Sequence, residues 1–247
     1  MKTYYLTDTG RVRSHNEDSV TIVKNASDEY LLIVADGMGG HRAGEVASSL
    51  AVTHLGKRFS SISSIGDKID AVNWLNDNVS EINEAIIDYA KNHTDSTGLG
   101  TTLVLALYTK EYLIFGNIGD SSGFVLKNGK LYKVTKDHTL VNLLVEAGNL
   151  TEEEAINHPK KNILMKALGS FEKVDMDIFE VENTVDGIFL CSDGVTNMLS
   201  KESIENVLNS DLKIEEKVAK LVKKCNARGG NDNISIAYME EIGGMNK

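Results

Sequence analysis

Short apolar runs that stop at an acidic residue are the feature that most limits how this chain can fold. The runs LLIVAD, LIFGNIGD and IFLCSD end in Asp36, Asp120 and Asp193, and Asp232 stands just before the run NISIAY. Short apolar runs bounded by Gly, Asp or Asn are typical of buried strands. The sequence therefore predicts a buried sheet whose strands carry carboxylates at their ends.

The same pattern extends to the rest of the predicted sheet. The predicted strands are Tyr30–Ala35, Thr101–Tyr108, Tyr112–Ile118, Gly187–Cys191 and Ile234–Tyr238, with shorter ones at Gly123–Leu126 and Leu131–Val134. The last two flank Asn128 and Gly129, a pair that suits the positive φ angles of a two-residue hairpin turn. At least these two strands are expected to be antiparallel.

Apolar residues at helical spacing predict helices that cover the sheet. They span Ala43–Phe59, Ile69–Lys91, Lys201–Leu208 and Ile214–Cys225. A shorter helix is expected to start at Thr151, whose hydroxyl would cap it while Glu154 reaches back. Hairpin strands and grouped helices indicate the α+β class. Because the sequence contains no internal repeat and no long linker, a single domain over residues 1–247 is expected.

Charge and cysteine content exclude several classes of function. Acidic residues outnumber basic ones by 36 to 26, giving a net charge of -10. This charge repels nucleic acid and anionic lipid, so we expect neither nucleic acid nor a membrane as a partner. Cys191 and Cys225 lack the CxxC spacing of a zinc site and are expected to be buried thiols. With no signal-peptide pattern at the N-terminus, a cytoplasmic location is expected.

The four aspartates at strand ends form the candidate site. If the last strand runs antiparallel to the others, all four reach the same edge of the sheet and converge in one cleft. Ligation by oxygen atoms alone suits Mg²⁺ or Mn²⁺, whereas zinc normally recruits His or Cys. The alternative is that aspartates at strand ends merely form turns and cap helices.

Two polar motifs accompany the aspartates. Around Asp36 the segment DGMGGHRAGE has three glycines within four residues, which lets its backbone approach a ligand closely. It matches neither a P-loop nor a GxGxxG dinucleotide motif. The segment RSHNED places Arg13, a guanidinium fork suited to phosphate, before the carboxylates of Glu17 and Asp18. Taken alone, RSHNED is more typical of a solvated run of charges.

Segments in a characteristic order resemble a known family. They are TDTGRVRSHNED, DGMGGHRAGE, GLGTT, NIGDSS, DHTLVNLLVEAG, HPKKNILMKALG, CSDGVTN and GGNDNIS. The chain resembles the bacterial metal-dependent protein phosphatases (PPM, or type 2C), most closely stand-alone serine/threonine phosphatases that oppose eukaryotic-type kinases. The resemblance implies an α-β-β-α sandwich of two antiparallel sheets flanked by helix pairs. It also implies a flap subdomain at about residues 138–169, for which the alternative is a surface helical insert.

The resemblance further implies a set of metal ligands. They are Glu17, Asp36, the Gly37 carbonyl, Asp120, Asp193 and Asp232. Asp36 would bridge two Mn²⁺ or Mg²⁺ ions, while Asp120 and Asp193 would share a third, weaker one. Asp18 would support the ligands from behind.

Residues that act on the substrate are implied in the same way. Arg13 would hold the substrate phosphate. His41 is a candidate general acid because histidine titrates near neutrality, and its alternative role is structural, at the start of the following helix. Ser122 and Lys161 stand where arginine is usual in the family. Neither departure removes a metal ligand, so activity is expected to survive, although Ser122 weakens the case for the third ion.

The implied reaction is hydrolysis of phosphoserine and phosphothreonine by a water whose pKa the two ions lower. Its partners would be phosphorylated proteins, including a cognate serine/threonine kinase, and the chain is expected to act as a monomer. One alternative is a partner-switching phosphatase with a single dedicated antagonist as substrate. The other is a pseudophosphatase that only binds phosphoproteins, which the intact Asp36, Asp193 and Asp232 disfavour.

Overall fold

A computed structural model describes residues 1–39, 43–93, 98–156 and 158–240 of the chain. In chain order, the strands are β1 (Lys2–Asp8), β2 (Asp18–Lys24), β3 (Tyr30–Met38), β4 (Gly100–Thr101), β5 (Leu103–Tyr108), β6 (Leu113–Ile118), β7 (Ser122–Lys127), β8 (Lys130–Lys133), β9 (Asp177–Val181), β10 (Gly187–Cys191) and β11 (Ile234–Glu240). The helices are α1 (Ala43–Ser61), α2 (Lys68–Asn92), α3 (Leu140–Glu146), α4 (Glu152–Ile156), α5 (Asp193–Thr196), α6 (Lys201–Leu208) and α7 (Ile214–Ala227).

Within the described residues the strands form two antiparallel sheets. One has the order β1-β11-β10-β7-β8, and the other has the order β2-β3-β5-β6-β9, with β4 paired to β3. The last strand, β11, runs antiparallel to both β1 and β10, as the sequence argument required. The β7–β8 hairpin is also confirmed, since Asn128 and Gly129 have φ angles of 52° and 73°.

Both faces of the central strands are buried, which explains their uninterrupted apolar runs. In β3, Leu31 and Ile33 pack in a cluster with α1 and α2, whereas Leu32 and Val34 belong to the layer between the sheets. In the other sheet, the outer face of β10 packs with α6 and α7. The order of layers is helix, sheet, sheet, helix, so the predicted α+β class and α-β-β-α sandwich are confirmed.

Three strands were not predicted from the sequence, because they lie at sheet edges. β1 is an edge of the first sheet, and β2 and β9 are the edges of the second. Each is only partly covered, and β1 alternates between exposed and half-buried residues. An edge strand needs no continuous apolar run, so the signal used for the central strands is missing there. The predicted strand Thr101–Tyr108 is also interrupted, at Thr102, between β4 and β5.

The structure confirms the predicted helix cap at Thr151 and the two predicted buried thiols. The Thr151 hydroxyl accepts a hydrogen bond from the Glu154 amide at 3.2 Å, and the Glu154 carboxylate accepts one from the Thr151 amide at 2.8 Å. Cys191 and Cys225 are both buried and free, as expected. Among the helices of the described residues, none is both long and apolar enough to span a bilayer.

Candidate active site

The acidic strand ends meet at one end of the sandwich, but they come from two sheets. Asp36 lies in β3 and Asp120 follows β6, both in the second sheet, while Asp193 follows β10 and Asp232 precedes β11 in the first. The expectation of a single sheet edge is therefore wrong in detail. The carboxylates converge across the gap between two facing sheets.

A cleft of about 440 Å³ opens at this end. It is lined by Arg13, Glu17, Asp36, Gly37, Met38, Gly39, Thr102, Asp120, Asn162, Leu164, Asp193, Asp232 and Asn233. The expected metal ligands and Arg13 are all in this set. Asp18, expected behind the ligands, does not line the cleft, and His41 lies outside the described residues. Asn162 and Leu164 belong to the flap segment, defined as residues 138–169, which therefore borders the cleft.

Asp18 lies next to Asp36, which lines the cleft. They are directly paired across β2 and β3. Asp18 is only 7% exposed, and Ser192 of the opposite sheet donates a hydrogen bond to its Oδ2 at 2.7 Å. The other carboxylate oxygen, Oδ1, is buried without a hydrogen-bond partner. A buried carboxylate with an unsatisfied oxygen is costly unless positive charge is close by.

The carboxylates are electrostatically strained in the absence of a cation. Burial, reinforced by neighbouring acidic groups, raises the pKa of Asp36 well above its usual range and raises that of Asp193. The same causes raise the pKa of Asp18 and of Asp120 to about 7 each. Glu17 also has a raised pKa, chiefly from burial. Such a cluster is suited to binding positive charge.

Thr102 holds the backbone of Asp36, a role that the sequence analysis missed. Its hydroxyl accepts a hydrogen bond from the Asp36 amide, and its own amide donates to the Asp36 carbonyl, both at 2.9 Å. The same hydroxyl lies 2.8 Å from that of Ser121, next to Asp120. Thr102 thus ties the two carboxylate-bearing segments of the second sheet together. The segment GLGTT marked this place, but nothing in it indicated the contact.

Asn233 holds the backbone of Glu17, as Thr102 holds that of Asp36. Its side-chain oxygen accepts a hydrogen bond from the Glu17 amide at 2.8 Å, and its side-chain nitrogen donates to the His15 carbonyl at 2.9 Å. The Glu17 carbonyl in turn accepts from the Gly37 amide at 3.1 Å. A Cβ on Gly37 would lie 2.1 Å from the Gly44 carbonyl oxygen, so only glycine fits at this point.

Arg13 lies at the rim of the cleft. Its guanidinium is 2.7 Å from Asp232 Oδ2, with half of the arginine side chain exposed. Asp193 accepts from the Asn197 side chain at 3.0 Å, while its Oδ1 is buried without a hydrogen-bond partner. Across the parts of the chain that the structure describes, no three His, Cys, Asp or Glu side chains by themselves form a group able to hold an ion.

Neither Ser122 nor Lys161, the two departures from the pattern of the family that the chain resembles, lines the cleft. Ser122 is the first residue of β7, is buried, and pairs with Cys191 of β10. It brings no positive charge toward Asp120. Lys161 is exposed in the flap segment and is not among the residues that line the cleft.

Comparison with known proteins extends these observations. The family model described as protein phosphatase 2C matches residues 9–235. The serine/threonine phosphatase stp of Listeria welshimeri is 42% identical over 241 residues, which cover 97% of this chain and 96% of that protein. The crystal structure of the serine/threonine phosphatase Stp1 from Staphylococcus aureus superposes with a TM-score of 0.90, at 34% identity and with 98% and 95% of the two chains covered. The catalytic domain of the serine/threonine protein phosphatase PstP, in complex with two manganese ions, gives a TM-score of 0.82 at 33% identity over 97% of each chain.

Proposed function

Because this chain belongs to the protein phosphatase 2C family and is a serine/threonine phosphatase of that type, we propose that it hydrolyses phosphoserine and phosphothreonine with a water molecule activated by divalent cations. The observation that carries the proposal is the set of half-buried carboxylates that line the cleft. Their pKa values are raised and Asp193 Oδ1 has no hydrogen-bond partner. A group of hard oxygen donors in this state fits Mg²⁺ or Mn²⁺.

The residues proposed to hold the ions are those that line the cleft. Asp36, Glu17, the Gly37 carbonyl, Asp193 and Asp232 would hold two ions together with water. Mg²⁺ commonly keeps several waters and uses only one or two carboxylates. When bound, the ions would supply a water of lowered pKa and neutralise charge on the phosphate.

Arg13 is proposed to bind the phosphate of the substrate. Its guanidinium is half exposed at the rim, and its contact with Asp232 orients it toward the cleft. A planar fork of N–H donors suits two phosphate oxygens at once. His41 remains the proposed general acid on sequence grounds.

Asp120 and Asp193 are proposed to share a third, weaker ion. Both line the cleft, and the charge of Asp193 contributes to the raised pKa of Asp120. With fewer protein carboxylates and more water around it, this ion would be lost first on dilution.

We further propose that the chain is one catalytic domain that acts as a monomer on phosphorylated proteins, including a cognate serine/threonine kinase. Its two free cysteines agree with a reducing compartment such as the cytoplasm.

The decisive experiment measures turnover of p-nitrophenyl phosphate and of a phosphothreonine peptide with Mn²⁺, with and without EDTA. Asp36→Asn and Asp193→Asn are expected to abolish turnover while circular dichroism shows a retained fold. Asp77→Asn, at an exposed position on α2, is the matched control and should be fully active. Peptide binding without metal-dependent turnover in the unmodified protein would favour the pseudophosphatase alternative.

A further inference from the structure

The turn that carries Asp120 is held by its preceding residue, Gly119. Gly119 has a φ of 102°, and a Cβ there would lie 2.6 Å from the Thr102 side chain. Both polar groups of its backbone are bonded. The amide donates to His138 Nδ1 at 3.0 Å, and the carbonyl accepts from the His138 amide at 2.9 Å and from the Asn117 side chain at 3.1 Å.

His138 is fixed on its other side as well. Because Nδ1 accepts a hydrogen bond, the neutral ring carries its proton on Nε2. Nε2 lies 3.1 Å from Asp177 Oδ2, so the polar N–H edge of the neutral ring faces a carboxylate without forming an aligned hydrogen bond. Asp177 Oδ1 in turn accepts from the Lys166 ammonium at 2.8 Å. The sequence around His138 does not single it out, because its partners Gly119 and Asp177 lie far from it along the chain.

The same residue begins the flap segment. The His138 carbonyl accepts a hydrogen bond from the Met165 amide at 2.8 Å, and the neighbouring Leu140 amide donates to the Ile163 carbonyl at 2.9 Å. These bonds join the two ends of the flap segment beside Leu164, which lines the cleft. His138 therefore contacts the Asp120 turn through its ring and its amide, and it contacts the rest of the flap segment through its carbonyl.

We infer that His138 is a positioning residue, which sets the Asp120 turn through the Gly119 amide and joins that turn to the flap segment. The inference rests on the proposed function, in which Asp120 takes part in the site. If the ring is removed, the Gly119 amide loses its acceptor in a buried place, and the turn relaxes. The effect should fall on turnover rather than on substrate affinity, because Arg13 is held independently by Asp232.

Two substitutions separate this role from a merely structural one. Asn offers Oδ1 where His offers Nδ1, since both atoms are bonded to Cγ, so His138→Asn should keep the bond to Gly119. His138→Gln places its polar atoms one bond farther out and should lose it. His158→Gln is the matched control, because among the described residues the His158 ring is hydrogen-bonded only to the nearby Lys160 amide, at 3.2 Å, within the flap segment.

The experiment combines phosphopeptide kinetics in Mn²⁺ with amide hydrogen exchange at Gly119 in the metal-free protein. For His138→Gln we expect kcat to fall about tenfold with little change in KM, and exchange at Gly119 to accelerate about tenfold, as for loss of one buried hydrogen bond. His138→Asn should stay within about threefold of the unmodified protein in both measurements. The control should match the unmodified protein.

Equal behaviour of the Asn and Gln variants, in exchange or in kcat, would overturn the inference. So would a Gln variant that changes KM alone. Absence of Mn²⁺-dependent turnover in the unmodified protein would instead refute the proposed function, and exchange at Gly119 would still test the contact. If the Gln variant does not fold, an Asn variant with accelerated exchange at Gly119 would count against the inference by itself.

Discussion

Asp18→Asn tests whether the buried carboxylates oppose folding when no cation is bound. Asp18 is 7% exposed, and burial together with nearby acidic groups raises its pKa from 3.8 to about 7. Between about pH 4 and pH 7, the carboxyl group of Asp18 keeps its proton in the folded protein but has lost it in the unfolded chain. The contribution of this group to stability is therefore complete below about pH 4 and is lost as the pH rises to about 7.

The size of the effect follows from the pKa difference. Each pKa unit corresponds to about 1.4 kcal/mol, so ionised Asp18 lowers the free energy of unfolding by at most about 4 kcal/mol at about pH 8. Part of this belongs jointly to Asp193 and Asp232, whose charges also act on Asp18. Asparagine has no charge to desolvate and can still accept the hydrogen bond from Ser192.

Urea unfolding in EDTA across this pH range, followed by circular dichroism, measures the effect. We expect the unmodified protein to lose stability between about pH 4 and pH 7, and Asp18→Asn to be more stable than it at about pH 8. Asp28→Asn is the control, because Asp28 is exposed and its contact with Lys24 lowers its pKa. The reasoning fails if metal-free stability rises with pH in this window or if Asp18→Asn leaves the slope unchanged.

Four further substitutions test the proposed site and the packing of α1. Arg13→Ala should raise KM for a phosphopeptide more than it lowers kcat, because Arg13 would bind the phosphate equally well in the ground state and in the transition state. Arg11→Ala is the control. A defect in kcat alone would contradict the prediction. Asp120→Ala should slow the hydrolysis of phosphopeptides more than that of p-nitrophenyl phosphate, whose leaving group needs less protonation. If calorimetry finds the weak Mn²⁺ site unchanged in this variant, Asp120 does not hold the third ion. On α1, Gly44→Ala would put a Cβ 2.6 Å from the backbone of β3 and should destabilise the protein by more than about 3 kcal/mol in urea unfolding. Gly56→Ala, with its nearest contact at 3.6 Å, should stabilise it by about 0.5–1 kcal/mol, and similar effects at the two positions would refute the packing argument.

The central strands and their acidic ends were readable from the residues alone. Strands such as β3 and β10 are buried on both faces, so every position is apolar until the strand leaves the core. The carboxylates of Asp36 and Asp193 appear at that point because the end of the sandwich opens to solvent. The hairpin at Asn128 was equally readable, since the positive φ angles of a tight turn select for particular residues. The sandwich itself came from the resemblance, because periodicity indicated only the α+β class.

Polar contacts between distant segments had no such local signal. Ser192 meets Asp18 across 174 residues of chain, and Thr102 meets Asp36 across 66. A serine or threonine in an apolar segment looks the same whether it holds a carboxylate or only fills space. The edge strands β1, β2 and β9 were not predicted for a related reason. Each pairs with a single neighbouring strand, and its own residues carry no continuous apolar run. Folding brings both sheets to one cleft, and only there do separate aspartates become a cluster with raised pKa values.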